Sequence, residues 1–124
     1  MYRQIFKKLE VQAKAKLSGK VINHAELSKI EFNNTKIKEA FNQPYRHYTD
    51  KNWLVSHLNT IIPKSEYLGK RPDYKDTHDV KWIHVFKFFI NNEASYILIR
   101  EYENGKKVFH SFSDSENVTI GTKK

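Results

Sequence analysis

The stretch Val80-Lys81-Trp82-Ile83-His84-Val85-Phe86-Lys87-Phe88-Phe89-Ile90 is a strand by composition: aromatic and β-branched residues crowd it, and it holds no glycine or proline. Two runs of the same texture follow, Ala94 to Glu103 and Lys106 to Ser113. Asn91-Asn92-Glu93 separates the first pair, and Asn104-Gly105 separates the second. Asn-Gly is a strong hairpin signal, because both residues tolerate the positive φ of a type I′ turn. The three runs read as an antiparallel meander.

Upstream the texture turns helical. Ile5, Leu9, Ala13 and Leu17 recur at every fourth residue with Phe6 beside them, and Gly19 supplies a stop. Lys20-Val21-Ile22 is too short for more than a brief strand or a turn into Asn23-His24. From Ala25 to Phe41 the pattern is helical again, broken near Asn33-Asn34, where Asn34 or Thr35 can cap a second short helix before Pro44. A third helix is expected from about Asp50 to Ile62, with Thr49 as cap, Trp53, Leu54, Leu58, Ile61 and Ile62 as its apolar side, and Pro63 closing it. Glu66-Tyr67-Leu68 reads as a short strand and Arg71 to Asp79 as a polar loop. The expected fold class is α+β, with N-terminal helices packed on a C-terminal antiparallel β-meander. One domain is expected over 1–124: a helical part over about 1–63, a sheet part over about 64–116, and a polar tail over 117–124.

Composition narrows the function classes. A chain of 124 residues has room for one ordinary domain. It carries 22 Lys and Arg against 14 Asp and Glu, a net charge of +8, with six histidines and no cysteine. Lack of cysteine excludes disulfides, thiolate nucleophiles and Cys-ligated metal sites within this sequence, and it fits a reducing, cytoplasmic setting. No apolar run approaches the roughly 20 residues of a membrane span, and the first ten residues lack the apolar core of a secretory signal, so no membrane partner is expected. The positive field favours anionic partners, nucleic acid first, although the same charge also serves plain solubility.

A two-residue loop at Asn104-Gly105 makes Glu101 face Val108, Arg100 face Phe109, Ile99 face His110, Leu98 face Ser111 and Tyr96 face Ser113. Glu101 and His110 then share one face, and Arg100 and Ser113 the other. The first strand joins in one of two registers. A two-residue turn sets Trp82, His84, Phe86 and Phe88 with Glu101 and His110; a three-residue turn sets them with Arg100 and Ser113. Either way His84 stands mid-strand among aromatics.

That constellation suits phosphodiester transfer in RNA. A histidine or glutamate can take the 2′-hydroxyl proton and a second histidine can protonate the leaving oxygen. Arg100 or Lys87 can stabilise charge on phosphorus and a serine can orient a phosphate oxygen, with no metal or cofactor required. The bland alternative is a histidine satisfied by packing. An enzyme of this design needs His84, Arg100 and a second acid or base on one accessible face. A binding module needs only exposed basic and aromatic groups, such as Trp82, Phe86, Phe88 and Phe89 for stacking. His47 and His57, and the loop group Asp73, Asp76, His78 and Asp79, lack diagnostic metal-ligand spacing. There is no Gly-rich phosphate loop and no serine nucleophile elbow.

The order Ser18-Gly19-Lys20-Val21-Ile22-Asn23-His24, Tyr67-Leu68-Gly69, Ile83-His84-Val85-Phe86, Tyr96-Ile97-Leu98-Ile99-Arg100-Glu101, Asn104-Gly105 and Phe109-His110-Ser111-Phe112-Ser113-Asp114 resembles a known group. These are the phage- and mobile-element-borne barnase/EndoU/colicin/RelE-like (BECR-fold) nucleases, including large polyvalent protein-associated domains. The likeness spans about residues 17–118. It implies helices on a four- or five-stranded antiparallel sheet and a metal-independent ribonuclease site on that sheet, in a toxin or effector. In the resemblance His84 is the strand histidine, Arg100 the phosphate-binding arginine, Ser113 the terminal-strand hydroxyl and His24 the histidine of the leading motif. Glu101 is the strand carboxylate available as the catalytic glutamate. RNA is the implied partner, with an immunity or antitoxin protein where the role is that of a toxin. The other reading is a non-catalytic basic accessory module that grips nucleic acid or an acidic host protein.

Overall fold

A computed structural model of the chain describes residues 21–42, 57–75, 77–90 and 92–124. In chain order the elements are β1 (Val21–His24), β2 (Ser28–Glu31), α1 (Asn34–Asn42), α2 (Leu58–Lys64), β3 (Glu66–Arg71), β4 (Val80–Ile90), β5 (Glu93–Tyr102), β6 (Lys107–Ser113) and a 3₁₀ turn (Glu116–Thr119). One six-stranded sheet takes all the strands in the order β1-β2-β6-β5-β4-β3. Neighbours run antiparallel except β2 and β6, which are parallel through Glu31 and Val108.

The expected fold class is therefore corrected. Among the described residues the chain is mostly β, a mixed six-stranded sheet with two short helices, and not N-terminal helices laid on a C-terminal meander. The region expected to be helical from Ala25 onward begins instead as a hairpin, in which Ile22 pairs with Ile30 and His24 with Ser28. Leu27, Ile30 and Phe32 are all buried, and this explains the misreading. Leu27 and Ile30 are spaced as on a helix, whereas Ile30 and Phe32 alternate as in a strand, so the local pattern fits both periods. Pairing with β6 selects the strand. Helix does form at Asn34–Asn42, with the Asn33 side chain accepting from the Lys36 N–H at 2.8 Å as a cap. Pro63 lies inside α2 rather than after it. The helix expected over Ile5 to Leu17, and the part of the third helix before residue 57, lie outside the described residues.

The C-terminal strands pair in sequence order, and β3 runs on through Gly69 to Arg71. The main core fills one face of the sheet, where Phe86, Ile97, Ile99, Phe109 and Phe112 meet Ile30, Ile37, Leu58 and Ile62, all fully buried. Each such side chain contributes roughly 1.5–3 kcal/mol on burial, so this face carries most of the stability. The opposite face holds a smaller cluster of Ile83, Val85, Tyr96 and Leu98, covered in part by Leu68 and Val118. Residues 117–124, read from sequence as a polar tail, contribute to the 3₁₀ turn and a backbone bridge, in which Lys70 and Lys123 exchange N–H···O bonds of 3.0 Å along the β3 edge.

Candidate functional site

Two irregularities in the sheet decide which ionisable groups meet. The first is the β4–β5 turn. Ile90 pairs with Glu93 across a two-residue turn, with Asn92 at φ 67°, so His84 pairs with Ile99 and Trp82 with Glu101. The second is a β-bulge in β6. Leu98 pairs with Ser111 and Ile99 with Phe109, leaving His110 as the extra residue. Its origin is the turn: Gly105 sits at φ 88° and Tyr102 accepts from its N–H, while the Tyr102 N–H donates to Lys106. That makes a three-residue loop of Glu103, Asn104 and Gly105, and shifts Arg100 onto Val108 and Glu101 onto Lys107. The expected partners Val108 for Glu101, Phe109 for Arg100 and His110 for Ile99 are each off by this one step. The distal pairs Leu98–Ser111 and Tyr96–Ser113 stand as expected.

The candidate residues consequently divide into two groups. On the core face His84 is only 3% exposed and both ring nitrogens are engaged. Nε2 donates to Glu101 Oε1 at 2.7 Å, and Nδ1 accepts from the Tyr67 hydroxyl at 2.8 Å. Burial lowers the His84 pKa, against the pull of Glu101, so the ring is neutral at neutral pH. The Tyr67 hydroxyl is raised by burial and by the charges of Glu101 and Glu26. His24 is likewise a packing histidine. Its Nδ1 accepts from the Glu26 N–H and its Nε2 donates to the Ser65 carbonyl, both at 3.0 Å, tying the β1–β2 turn to the α2–β3 junction. Its ring meets Phe86 edge-on with centroids 4.5 Å apart.

On the opposite face Arg100, His110, Ser111 and Ser113 line a pocket of about 270 Å³. Arg71, Asp73, Tyr74 and Lys75 close it from the β3–β4 connection, and Val118 closes it from the 3₁₀ turn. Arg71 is buried without a carboxylate at ion-pair distance among the described residues. Its Nε donates to the Val118 carbonyl at 2.8 Å and its Nη1 to the Pro72 carbonyl at 3.0 Å, and burial lowers its pKa. Burial works to raise the Asp73 carboxyl, but hydrogen bonds from Thr77 and from the Lys75 and Thr77 N–H groups, with the charge of Arg100, bring it below its ordinary value. Burial, then the charges of Arg100 and Lys36, pushes the His110 pKa down to about 4, with Glu39 opposing and Lys75 adding. Arg100 Nε and His110 Nδ1 are buried atoms with no hydrogen-bond partner among the described residues. Leaving such an atom unpaired in the interior costs about 1–3 kcal/mol, and both residues belong to the lining of this basic pocket.

His84 and Glu101 therefore meet each other, Arg100, His110 and Ser113 meet in the pocket, and His24 joins neither group. His84 and Arg100 do not share a face. Sequence reading missed Arg71, Tyr74, Lys75 and Ser111. It also missed Glu39 of α1, whose charge reaches both His110 and Arg100 and whose carboxylate is lowered mainly by its hydrogen bond from Lys36 at 2.9 Å. The alternation of basic and aromatic residues in Arg71-Pro72-Asp73-Tyr74-Lys75 was the available signal. Among the described residues no group of three or more His, Asp or Glu is arranged to hold a metal ion, and no helix is long and apolar enough to cross a membrane.

Residues 1–110 match the family model of large polyvalent protein-associated domain 3, so Ser111, Ser113 and Val118 of the pocket wall lie beyond the match. Neither the curated proteins nor the solved structures give a match to this chain.

Proposed function

Starting from a chain that belongs to the large polyvalent protein-associated domain 3 family, we propose a metal-independent ribonuclease-like domain that works at the Arg100–His110 pocket. The observation that carries it is the convergence of Arg71, Lys75, Arg100, His110 and Ser113 on one pocket of the sheet face opposite the main core. In this reading a backbone phosphate supplies acceptor oxygens for both arginines, and the Ser113 hydroxyl orients it. His110, neutral at neutral pH, takes the proton of the 2′-hydroxyl. The 2′-oxygen then bonds to phosphorus, the bond to the 5′-oxygen breaks, and that oxygen leaves as a hydroxyl with a proton from water. The products are a 2′,3′-cyclic phosphate and a 5′-hydroxyl. The resemblance to barnase/EndoU/colicin/RelE-like nucleases supports this reading through Arg100 and Ser113, with His110 in the place the resemblance gave to His84. A toxin or effector role, with its immunity protein, belongs to the same proposal.

A second reading, a basic module that binds RNA without cutting it, is favoured by one observation. Glu39, the carboxylate whose charge bears on His110, is committed to Lys36, and no acid or base lies within hydrogen-bond distance of His110 Nδ1 among the described residues. Incubation of the protein with a single-stranded oligoribonucleotide in EDTA separates the two. Cleavage that stops when the 2′-hydroxyl at the cut site is replaced by hydrogen supports the enzyme; binding without cleavage supports the module.

A further inference from the structure

Tyr74 lines the pocket with 58% of its surface exposed, one of the few large aromatics so exposed among the described residues. One face of its ring is occupied. The Arg71 guanidinium carbon lies 4.3 Å from the ring centroid, and Arg71 is itself pinned by its bonds to the Val118 and Pro72 carbonyls. The phenol tip is confined as well, since a Cβ added to Gly121 would sit 2.7 Å from the Tyr74 oxygen. The ring is thus held on one face and at its end, and it lines the same pocket as Arg100 and His110. Phe89, which is also exposed, does not line this pocket.

We infer that Tyr74 is a stacking platform for one nucleobase, and that the substrate class is single-stranded RNA which inserts a single nucleotide, its phosphate on Arg100 and His110. This deepens the ribonuclease reading and rests on it for the identity of the polymer. A guanidinium behind an aromatic ring strengthens its hold on a base in front, and stacking tolerates any base because every base has a π-face. In a duplex the faces are already stacked on their neighbours, and a pocket of about 270 Å³ admits a nucleotide unit but not a helix.

The test uses the full chain with four probes: inorganic phosphate, uridine monophosphate, a single-stranded oligoribonucleotide and its duplex. Single strand is expected to bind at least tenfold more tightly than duplex. Tyr74→Ala should weaken single-strand and mononucleotide binding by about 5- to 100-fold, Tyr74→Trp should restore it, and inorganic phosphate should be indifferent to both. Gly121→Ala, which displaces the phenol, should reproduce part of the Tyr74→Ala loss. Equal binding of duplex and single strand, or a Tyr74→Ala variant that binds both nucleotide probes as the wild type does, overturns the inference. The two readings fail separately. RNA cut at the wild-type rate by Tyr74→Ala removes the platform and keeps the ribonuclease, whereas Tyr74-dependent mononucleotide binding without RNA cleavage keeps the platform and removes the ribonuclease.

Discussion

His84 and Arg100 lie on opposite faces of one sheet although their strand positions adjoin, His84 pairing with Ile99 and Arg100 with Ile83. The single step between them separates a buried, fully bonded histidine from the face that carries the pocket. A separate irregularity, the bulge in β6, sets His110 with Arg100 in the pocket and costs that strand one regular pair.

The Tyr67–His84–Glu101 chain is expected to act on stability and not on RNA. Tyr67→Phe leaves His84 Nδ1 without its donor in a buried site and should cost about 1–3 kcal/mol. Denaturant midpoints check this, and RNA binding by the folded variant should stay within about twofold of wild type.

Acid should destabilise the protein through His110. Its folded pKa of about 4 lies below the ordinary value of 6.5, so the unfolded chain binds more protons between those pH values. The stability is fully present above about pH 6.5 and is lost as pH falls toward 4, by on the order of 3 kcal/mol. His84, also lowered by burial, adds in the same direction. Urea unfolding from pH 4 to 7 should show a steeper loss in wild type than in His110→Gln.

Much of the sheet was legible because Val80 to Ser113 is strongly strand-like and Asn104-Gly105 punctuates it. The candidate site was legible only in its residue types. Which face each residue takes depends on one extra residue in a loop and one in a bulge, and neither leaves a mark in composition. The β1–β2 hairpin was hidden because Leu27, Ile30 and Phe32 satisfy both helical and strand spacing. Its strand state comes from pairing with β6, far away in sequence.

RNA affinity should fall steeply with salt, as the +8 charge implies. Each phosphate contact on a single strand contributes about −0.7 to the log–log slope, so Arg100→Ala and Lys75→Ala should each flatten it by about that amount. Titrations at several salt concentrations measure the slope, and a slope near zero in wild type would point away from phosphate contacts.

Gly69→Ala should free the C-terminal residues from β3. Gly69 has φ 126°, and an added Cβ would lie 2.5 Å from the Lys123 carbonyl carbon, so the side chain meets strain and backbone together. Hydrogen exchange at the Lys70 amide, which donates to Lys123, should speed up in this variant while the amides of β5 stay protected.

The most direct measurement compares RNA cleavage in EDTA by His110→Ala and His84→Ala, each expressed per folded molecule from its unfolding midpoint. Removing an acid or base from a working site typically costs about 10²–10⁴-fold, and His110→Ala should show that loss while staying folded at neutral pH. His84→Ala should unfold at lower denaturant and cut at the wild-type rate. Loss of cleavage in a folded His84→Ala variant, with His110→Ala unaffected, would contradict the placement of the site in the Arg100–His110 pocket.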